Sequence, residues 1–237
     1  MKYKNTLKGK FIERINRFIC YCYIGSEKHK VYVPNTGRCR ELLLKDADVV
    51  LSENNDPSRK TKYTLLSVYK EGSLINIDSQ APNKVVYDAL VDKKIFTDIN
   101  FTLISREKTY ADSRFDIYYE GFREENFVKG FIEIKGVTLF ENSVAYFPDA
   151  PTLRGLKHLK ELICAGKDSY ESNILFLIQK QGSRYFLPNY KMQPEFARYL
   201  YKAQRQGVNI KAYDAIVKED EITLNSEIPI GDLKQFK

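Results

Sequence analysis

Three residues of this chain offer chemistry by their types and spacing: Asp116, Glu133 and Lys135. Two carboxylates can hold Mg²⁺ or Mn²⁺ through hard oxygen ligands, and an amine beside them can orient a water or offset charge on a phosphate. They can do so only if the backbone brings them to one place. Ser113-Arg114-Phe115-Asp116-Ile117-Tyr118-Tyr119 and Phe131-Ile132-Glu133-Ile134-Lys135-Gly136-Val137 both alternate with the period of two of strands. Between them lies a charged stretch with glycine near each end, so an antiparallel hairpin is the simplest connection. With its turn near Glu124–Glu125, residues whose numbers sum to about 249 face each other, which sets Asp116 opposite Glu133. Lys135 follows two residues on along the same face.

An acid two residues before a lysine occurs three times in the chain, at Asp92-Lys93-Lys94, Glu133-Ile134-Lys135 and Asp232-Leu233-Lys234. Only the middle one sits in an alternating strand opposite another acid. The spacing alone still leaves two readings open, a metal site and a solvated cross-strand ion pair.

The elements around this hairpin fall into two groups. Residues 1–80 read as five or six short strands separated by Gly, Asn, Asp and Pro turns, the pattern of a small β-barrel of OB type. Such barrels present basic and aromatic side chains to single strands of nucleic acid. Arg14, Arg17, Phe18, Tyr21, Tyr23 and Tyr32 are the candidates, and the rings can equally be barrel filling. Pro34-Asn35-Thr36-Gly37-Arg38 is a turn whose amides could cradle a phosphate beside Arg38 and Arg40, followed by a short helix at Glu41–Leu44. Residues 81–237 alternate helices and strands. A helix at 82–91, capped by Asp78 or Ser79, precedes three strands. A second helix is expected from Pro151 to Ala165, capped by Asp149 and stopped at Gly166, with Leu153, Leu156, Leu159, Leu162 and Ile163 on one face and His158 off it. The near-continuous apolar strand Ile174–Ile178 implies a sheet covered on both faces.

The wider pattern is similar to known proteins. Asp116 followed on the next strand by Glu133-Ile134-Lys135 resembles the PD-(D/E)XK nuclease core. With Asn16-Arg17-Phe18, the 34–38 turn, Arg59-Lys60-Thr61-Lys62-Tyr63, Ser113-Arg114-Phe115-Asp116, Phe147-Pro148-Asp149-Ala150 and Arg154-Gly155 followed by His158, nearly the whole chain resembles the sugar fermentation stimulation protein family (SfsA). The resemblance implies an α+β protein: an N-terminal OB-type barrel, then a restriction-endonuclease-like α/β domain with a mixed central sheet. It implies Asp116, Glu133 and Lys135 as catalytic residues, with Asp116, Glu133 and the backbone of Ile134 as metal ligands. Arg14, Arg17, Arg38, Arg114, Arg154 and His158 are the candidates to bind nucleic acid, DNA before RNA. Arg114 is equally able to tie its turn into the fold, and His158 to be a surface residue on a polar face. Beside the resemblance, Glu107 is either a third acid at the edge of the site or a solvated turn acid. One departure from the pattern is Ala111-Asp112, where a glycine-containing turn is expected. The expected function is metal-dependent cleavage of nucleic acid, and the alternative is a non-catalytic DNA-binding regulator of sugar metabolism. No phosphate loop marks a small phosphorylated substrate.

Composition narrows the setting. Lys and Arg number 38 against 31 Asp and Glu, a net charge of +7. Residues 1–80 hold 15 against 9, and the rest 23 against 22, so the basic excess lies in the first third and fits an anionic partner there. Four cysteines without metal spacing read as reduced thiols rather than a zinc site. No run is long enough to span a bilayer and the N-terminus leads into no apolar signal core, so the cytoplasm is expected and no membrane partner is. A homodimer is left open.

Overall fold

A computed structural model describes residues 1–35 and 37–237, and Thr36 of the predicted phosphate-cradling turn lies outside the described residues. Six strands come first: β1 (Thr6–Arg14), β2 (Ile19–Ile24), β3 (Glu27–Tyr32), β4 (Asp48–Glu53), β5 (Tyr63–Lys70) and β6 (Ser73–Asn76). Antiparallel ladders join β2 to β1, β1 to β4 and β4 to β5, and the parallel pair Val31–Tyr63 and Tyr32–Thr64 between β3 and β5 closes the barrel. Cys20, Cys22, Val49, Leu51, Leu65 and Val68 fill it. The thiols of Cys20 and Cys22 lie 3.8 Å apart as free cysteines. The helix expected at Glu41–Leu44 is instead a turn, with the Leu42 and Leu43 amides donating to the Cys39 carbonyl.

The second half runs α1 (Ala81–Val91), β7 (Asn100–Tyr110), β8 (Ser113–Arg123), β9 (Asn126–Val137), β10 (Leu139–Glu141), β11 (Val144–Phe147), α2 (Leu153–Lys167), β12 (Glu171–Ile178), β13 (Tyr185–Pro188), α3 (Pro194–Arg205), β14 (Asn209–Val217) and β15 (Ile222–Glu227). The central sheet has the order β15-β14-β12-β9-β8-β7, parallel from β9 to β14 and antiparallel at both edges. One face packs on α1 through Ile117, Ile132, Ile134, Leu175 and Leu177, the other on α2 and α3 through Phe115, Phe131, Ile174 and Phe176. Burial on both faces explains why β12 carries no polar alternation. The small sheet β10-β11-β13 and the edge strand β15 had no signal strong enough to be read from their short sequences.

Helix ends differ from expectation in three places. Gln80 is the residue before α1, and Asp78 accepts its amide rather than capping the helix. Thr152, not Asp149, caps α2, its hydroxyl accepting the Gly155 amide at 2.9 Å. The same helix passes through Gly166 to Lys167. Its buried face is Gly155, Leu156, His158, Leu159, Leu162 and Ile163, while Leu153 is 84% exposed.

The first residues cross to the second half. The Met1 nitrogen donates to the Ile222 carbonyl at 2.8 Å, Lys2 bridges to Glu221 and the Tyr3 amide donates to the Asp220 carbonyl. Beside Tyr3, where the barrel's last strand leaves it, Gln179 donates to the Asn76 amide oxygen at 2.9 Å and to the Asp78 carbonyl at 3.1 Å. The first and last residues of the barrel segment are thereby fastened to the α/β sheet.

Candidate active site

The β8–β9 ladder starts at Arg123–Asn126, around the loop Glu124–Glu125, and its last pair is Ile117–Ile132. Past that point β8 stays with β7 to Ser113, while β9 stays with β12 to Val137. The two strands part, and Asp116 stands at the fork. Its Oδ2 accepts the Ile134 amide at 2.8 Å, a bond the ladder would otherwise give to a backbone carbonyl. N–H and C=O of one strand residue point to the same side, so the Ile134 carbonyl also faces the fork. The strand changes phase here: Phe115 packs toward α2 and Ile117 toward α1, although strict alternation would put both on one face.

Helices bracket the fork from both sides. From α1, Asn83 Nδ2 donates to Asp116 Oδ1 at 2.7 Å. From α2, His158 bonds Glu133 Oε1 through Nδ1, and its Nε2 accepts from Arg154 Nε at 3.4 Å. That pattern assigns the proton to Nδ1. Lys135 Nζ lies 2.5 Å from the same Glu133 oxygen. Glu133 is 2% exposed, and its other oxygen, Oε2, is buried with no partner.

The two carboxyls are driven apart. Burial, and then the charge of Glu133, push Asp116 above its ordinary range, against the Ile134 amide, Lys135 and Asn83. Burial also opposes ionisation of Glu133, but Lys135 and His158 outweigh it and hold that carboxyl below the usual range. Paired carboxylates with opposed shifts are what acid–base and metal sites require. Such a cluster adds little to stability, since apolar replacement of a buried ion cluster is often neutral or stabilising.

The hairpin thus brings Asp116, Glu133, Lys135 and the Ile134 backbone together. The other candidates are placed differently from expectation or away from the fork. His158 is buried and serves Glu133, so the phosphate contact expected of it is corrected. Arg14 is corrected too. Its guanidinium donates to the carbonyls of Asn16, Arg17, Asn35, Gly37 and Arg38, which leaves it a brace between the β1–β2 tip and the following loop. Glu107, expected as a third acid, is exposed and pairs with Arg114 at 3.5 Å. Among the described residues no group of three or more His, Cys, Asp or Glu side chains is placed to hold a metal ion. Arg17, Arg38 and Arg154 are exposed. Asn83 was missed although its helix was expected, because nothing in the sequence tells which α1 side chain meets the fork.

Two cavities of about 980 Å³ open on the surface, and neither is lined by Asp116 or Glu133. One lies at the other end of the sheet, where Arg123 is already paired with Asp98 and Glu171. The second lies between the barrel and the start of α2. No helix among the described residues is long and apolar enough to cross a membrane.

Fold and fork together define a two-part protein, an N-terminal OB domain carried on a mixed-sheet α/β domain with a carboxylate pair, Glu133 buried and Asp116 half-buried. Comparison with known proteins agrees. Residues 12–77 match the SfsA N-terminal OB domain, and residues 80–221 match the sugar fermentation stimulation protein RE domain. The chain is 47% identical to the sugar fermentation stimulation protein homolog of Clostridium novyi, covering 97% of this chain and 99% of that protein. It is 48% identical to the homolog of Clostridium acetobutylicum, with 97% and 99% covered. The solved structure of Pyrococcus furiosus SfsA in complex with Ca²⁺ superposes with a TM-score of 0.84 at 26% identity, covering 98% of both chains. This chain belongs to the sugar fermentation stimulation protein family.

Proposed function

We propose that this chain hydrolyses phosphodiester bonds of nucleic acid, DNA or RNA, at the β8–β9 fork with a divalent ion, Mg²⁺ or Mn²⁺. One observation carries the reading: Glu133 Oε2 is buried and unpartnered in a fork that also holds Asp116 and the Ile134 backbone. An orphaned buried carboxylate oxygen is costly and fits a cation. Two carboxylates and a carbonyl also suit Mg²⁺, which is held by one or two carboxylates plus waters and substrate phosphate oxygens. The relative from Pyrococcus furiosus was solved with Ca²⁺, another oxygen-seeking ion.

The sequence Asp116…Glu133-Ile134-Lys135 has the PD-(D/E)XK arrangement, and each group has a distinct part. Asp116, Glu133 and the Ile134 carbonyl would hold the ion. Bound there, it would lower the pKa of a water and polarise the scissile phosphate. Asn83 and the Ile134 amide hold the Asp116 carboxylate at the fork. His158, backed by Arg154, fixes the orientation of Glu133 as outer ligand partners do. Lys135 supplies a positive charge that orients the attacking water or neutralises the phosphoryl oxygens in the transition state. Arg154 and Arg114 remain exposed for substrate phosphates.

A second reading has its own observation. Glu133 Oε1 is already satisfied by Lys135 and His158, a cluster that could be purely structural in a DNA-binding regulator. Cleavage of end-labelled single- and double-stranded DNA and RNA with Mg²⁺, Mn²⁺ or EDTA separates the two. Metal-dependent cutting by the wild type that disappears in Glu133→Ala is expected. Binding without cutting in every metal would leave the regulator.

A further inference from the structure

We infer that the cavity between the barrel and α2 is the docking site of one unpaired nucleic-acid strand, whose path leads along the first turns of α2 to the fork. The inference rests on the nucleic-acid reading above and adds which form of nucleic acid is taken and where. The cavity of about 980 Å³ is lined by Arg14, Arg17, Arg38, Arg40 and Lys45 against Glu13 and Asp149. Arg14 is spent on backbone carbonyls, and its five bonds hold the segments bearing Arg17 and Arg38 side by side. The four remaining cations are all exposed. Of the two acids, Glu13 is paired with Lys28 at 3.3 Å. Asp149 is partly buried against the Gly37 loop, where a Cβ on Gly37 would come within 2.5 Å of its carboxylate.

Exposed apolar side chains adjoin the lining residues along the chain. Ile15 and Phe18 flank Asn16 and Arg17 at the β1–β2 tip, Leu44 precedes Lys45 and Leu153 follows Thr152. They are 51%, 46%, 55% and 84% exposed, so the protein's own core explains none of them. Cations interleaved with an exposed ring and apolar groups suit a strand whose bases are free to stack, since a paired duplex hides its base faces. The volume is at the upper end of small-ligand sites of about 300–1,000 Å³ and accommodates a few nucleotides.

The cavity communicates with the chemistry through α2. Thr152 lines the cavity, Arg154 is exposed one turn before His158, and His158 touches Glu133. Six residues of helix rise about 9 Å, so a strand held in the cavity needs only a few nucleotides to reach the carboxylates.

The test is anisotropy of a labelled single-stranded oligodeoxynucleotide, an oligoribonucleotide of the same sequence and the matching DNA duplex. It is run across salt in EDTA, so that no cutting occurs. Wild type is expected to bind the single strands more tightly than the duplex. Arg38→Gln/Arg40→Gln should lower single-strand affinity roughly tenfold, the scale of lost charged hydrogen bonds. It should also make the slope of log K against log salt shallower by about 1.4, from about 0.7 per lost phosphate contact. Phe18→Ala should cost roughly fivefold or more with the slope unchanged. Lys93→Gln/Lys94→Gln, which removes the same charge after α1, should change neither affinity nor slope. Equal or better duplex binding, or an equal loss in the Lys93/Lys94 variant, overturns the inference. Metal-dependent cutting abolished in Glu133→Ala, with binding untouched by Arg38→Gln/Arg40→Gln, would sink this docking site while the nuclease reading stands.

Discussion

Asp116→Asn should make the protein more stable without metal and blind to metal. The amide keeps an oxygen for the Ile134 N–H, and Asn83 can turn its own side chain to meet the new NH₂. What disappears is a half-buried negative charge near Glu133; the Asp116 pKa is raised by burial first and then by the Glu133 charge. Substitutions that relieve a strained site commonly gain about 0.5–2 kcal/mol. For a chain of this size each kcal/mol is worth about 2–4 °C of Tm, so the variant should melt a few degrees higher in EDTA. An ion at a hundred times its Kd adds about 2.7 kcal/mol to a protein that binds it only when folded. Wild type should therefore gain about 5–11 °C from saturating Mn²⁺, and Asp116→Asn almost nothing. Thermal melts of both proteins in EDTA and across a Mn²⁺ titration read the result without any nuclease assay. A variant that melts below wild type in EDTA would refute the charge argument. An equal Mn²⁺ shift in both would remove Asp116 as a ligand.

Two further outcomes follow from the backbone and the domain seam. Ala111, in the β7–β8 turn, has φ +48°, a left-handed value that costs an L-residue about 1–2 kcal/mol. Ala111→Gly should recover about 0.5–1 kcal/mol after glycine's extra chain entropy, read as a higher urea midpoint; a lower midpoint would contradict it. Burial raises the Asp78 pKa, so the folded protein holds that proton more tightly than the unfolded chain does. The stability this gives is present below the unfolded pKa and lost as pH rises through the folded one. Asp78→Asn should accordingly gain on wild type in urea unfolding at neutral pH and not at acid pH, and a constant difference would dismiss the linkage.

Much of the site was legible because a hairpin is a local object. A two-residue loop at Glu124–Glu125 sets the register as far as Ile117–Ile132, which brings Asp116 and Glu133 to the end of one ladder, while the change of phase at Asp116 is beyond what alternation predicts. The missing glycine before Ser113 was also legible, and it corresponds to the left-handed Ala111. The helix partners were harder. A stripe of leucines that begins at Leu153 sets His158 on a polar face, but Leu153 opens the helix in solvent. Starting the stripe at Gly155 gives 155, 158, 159 and 162, which puts His158 inside. Arg14 misled for another reason: a guanidinium that braces carbonyls and one that awaits phosphate look identical in sequence. Only the loop that returns to it decides.

The double fastening of the barrel bears on what the molecule could measure. A module hung on one linker can swivel, so the interval between its grip and a distant reactive centre varies. Here residues 1–3 and residues 76–78 are both sewn to the same sheet, by Met1 to Ile222 at one seam and Gln179 to Asn76 at the other. The Tyr3 hydroxyl, which donates to Asp78 and accepts from Asn76, joins the two seams into one, so a swivel of the barrel would break both together. A strand seized by the barrel would meet the carboxylates at one set offset, and the pair of domains would act as a ruler, yielding fragments of uniform length from a held end.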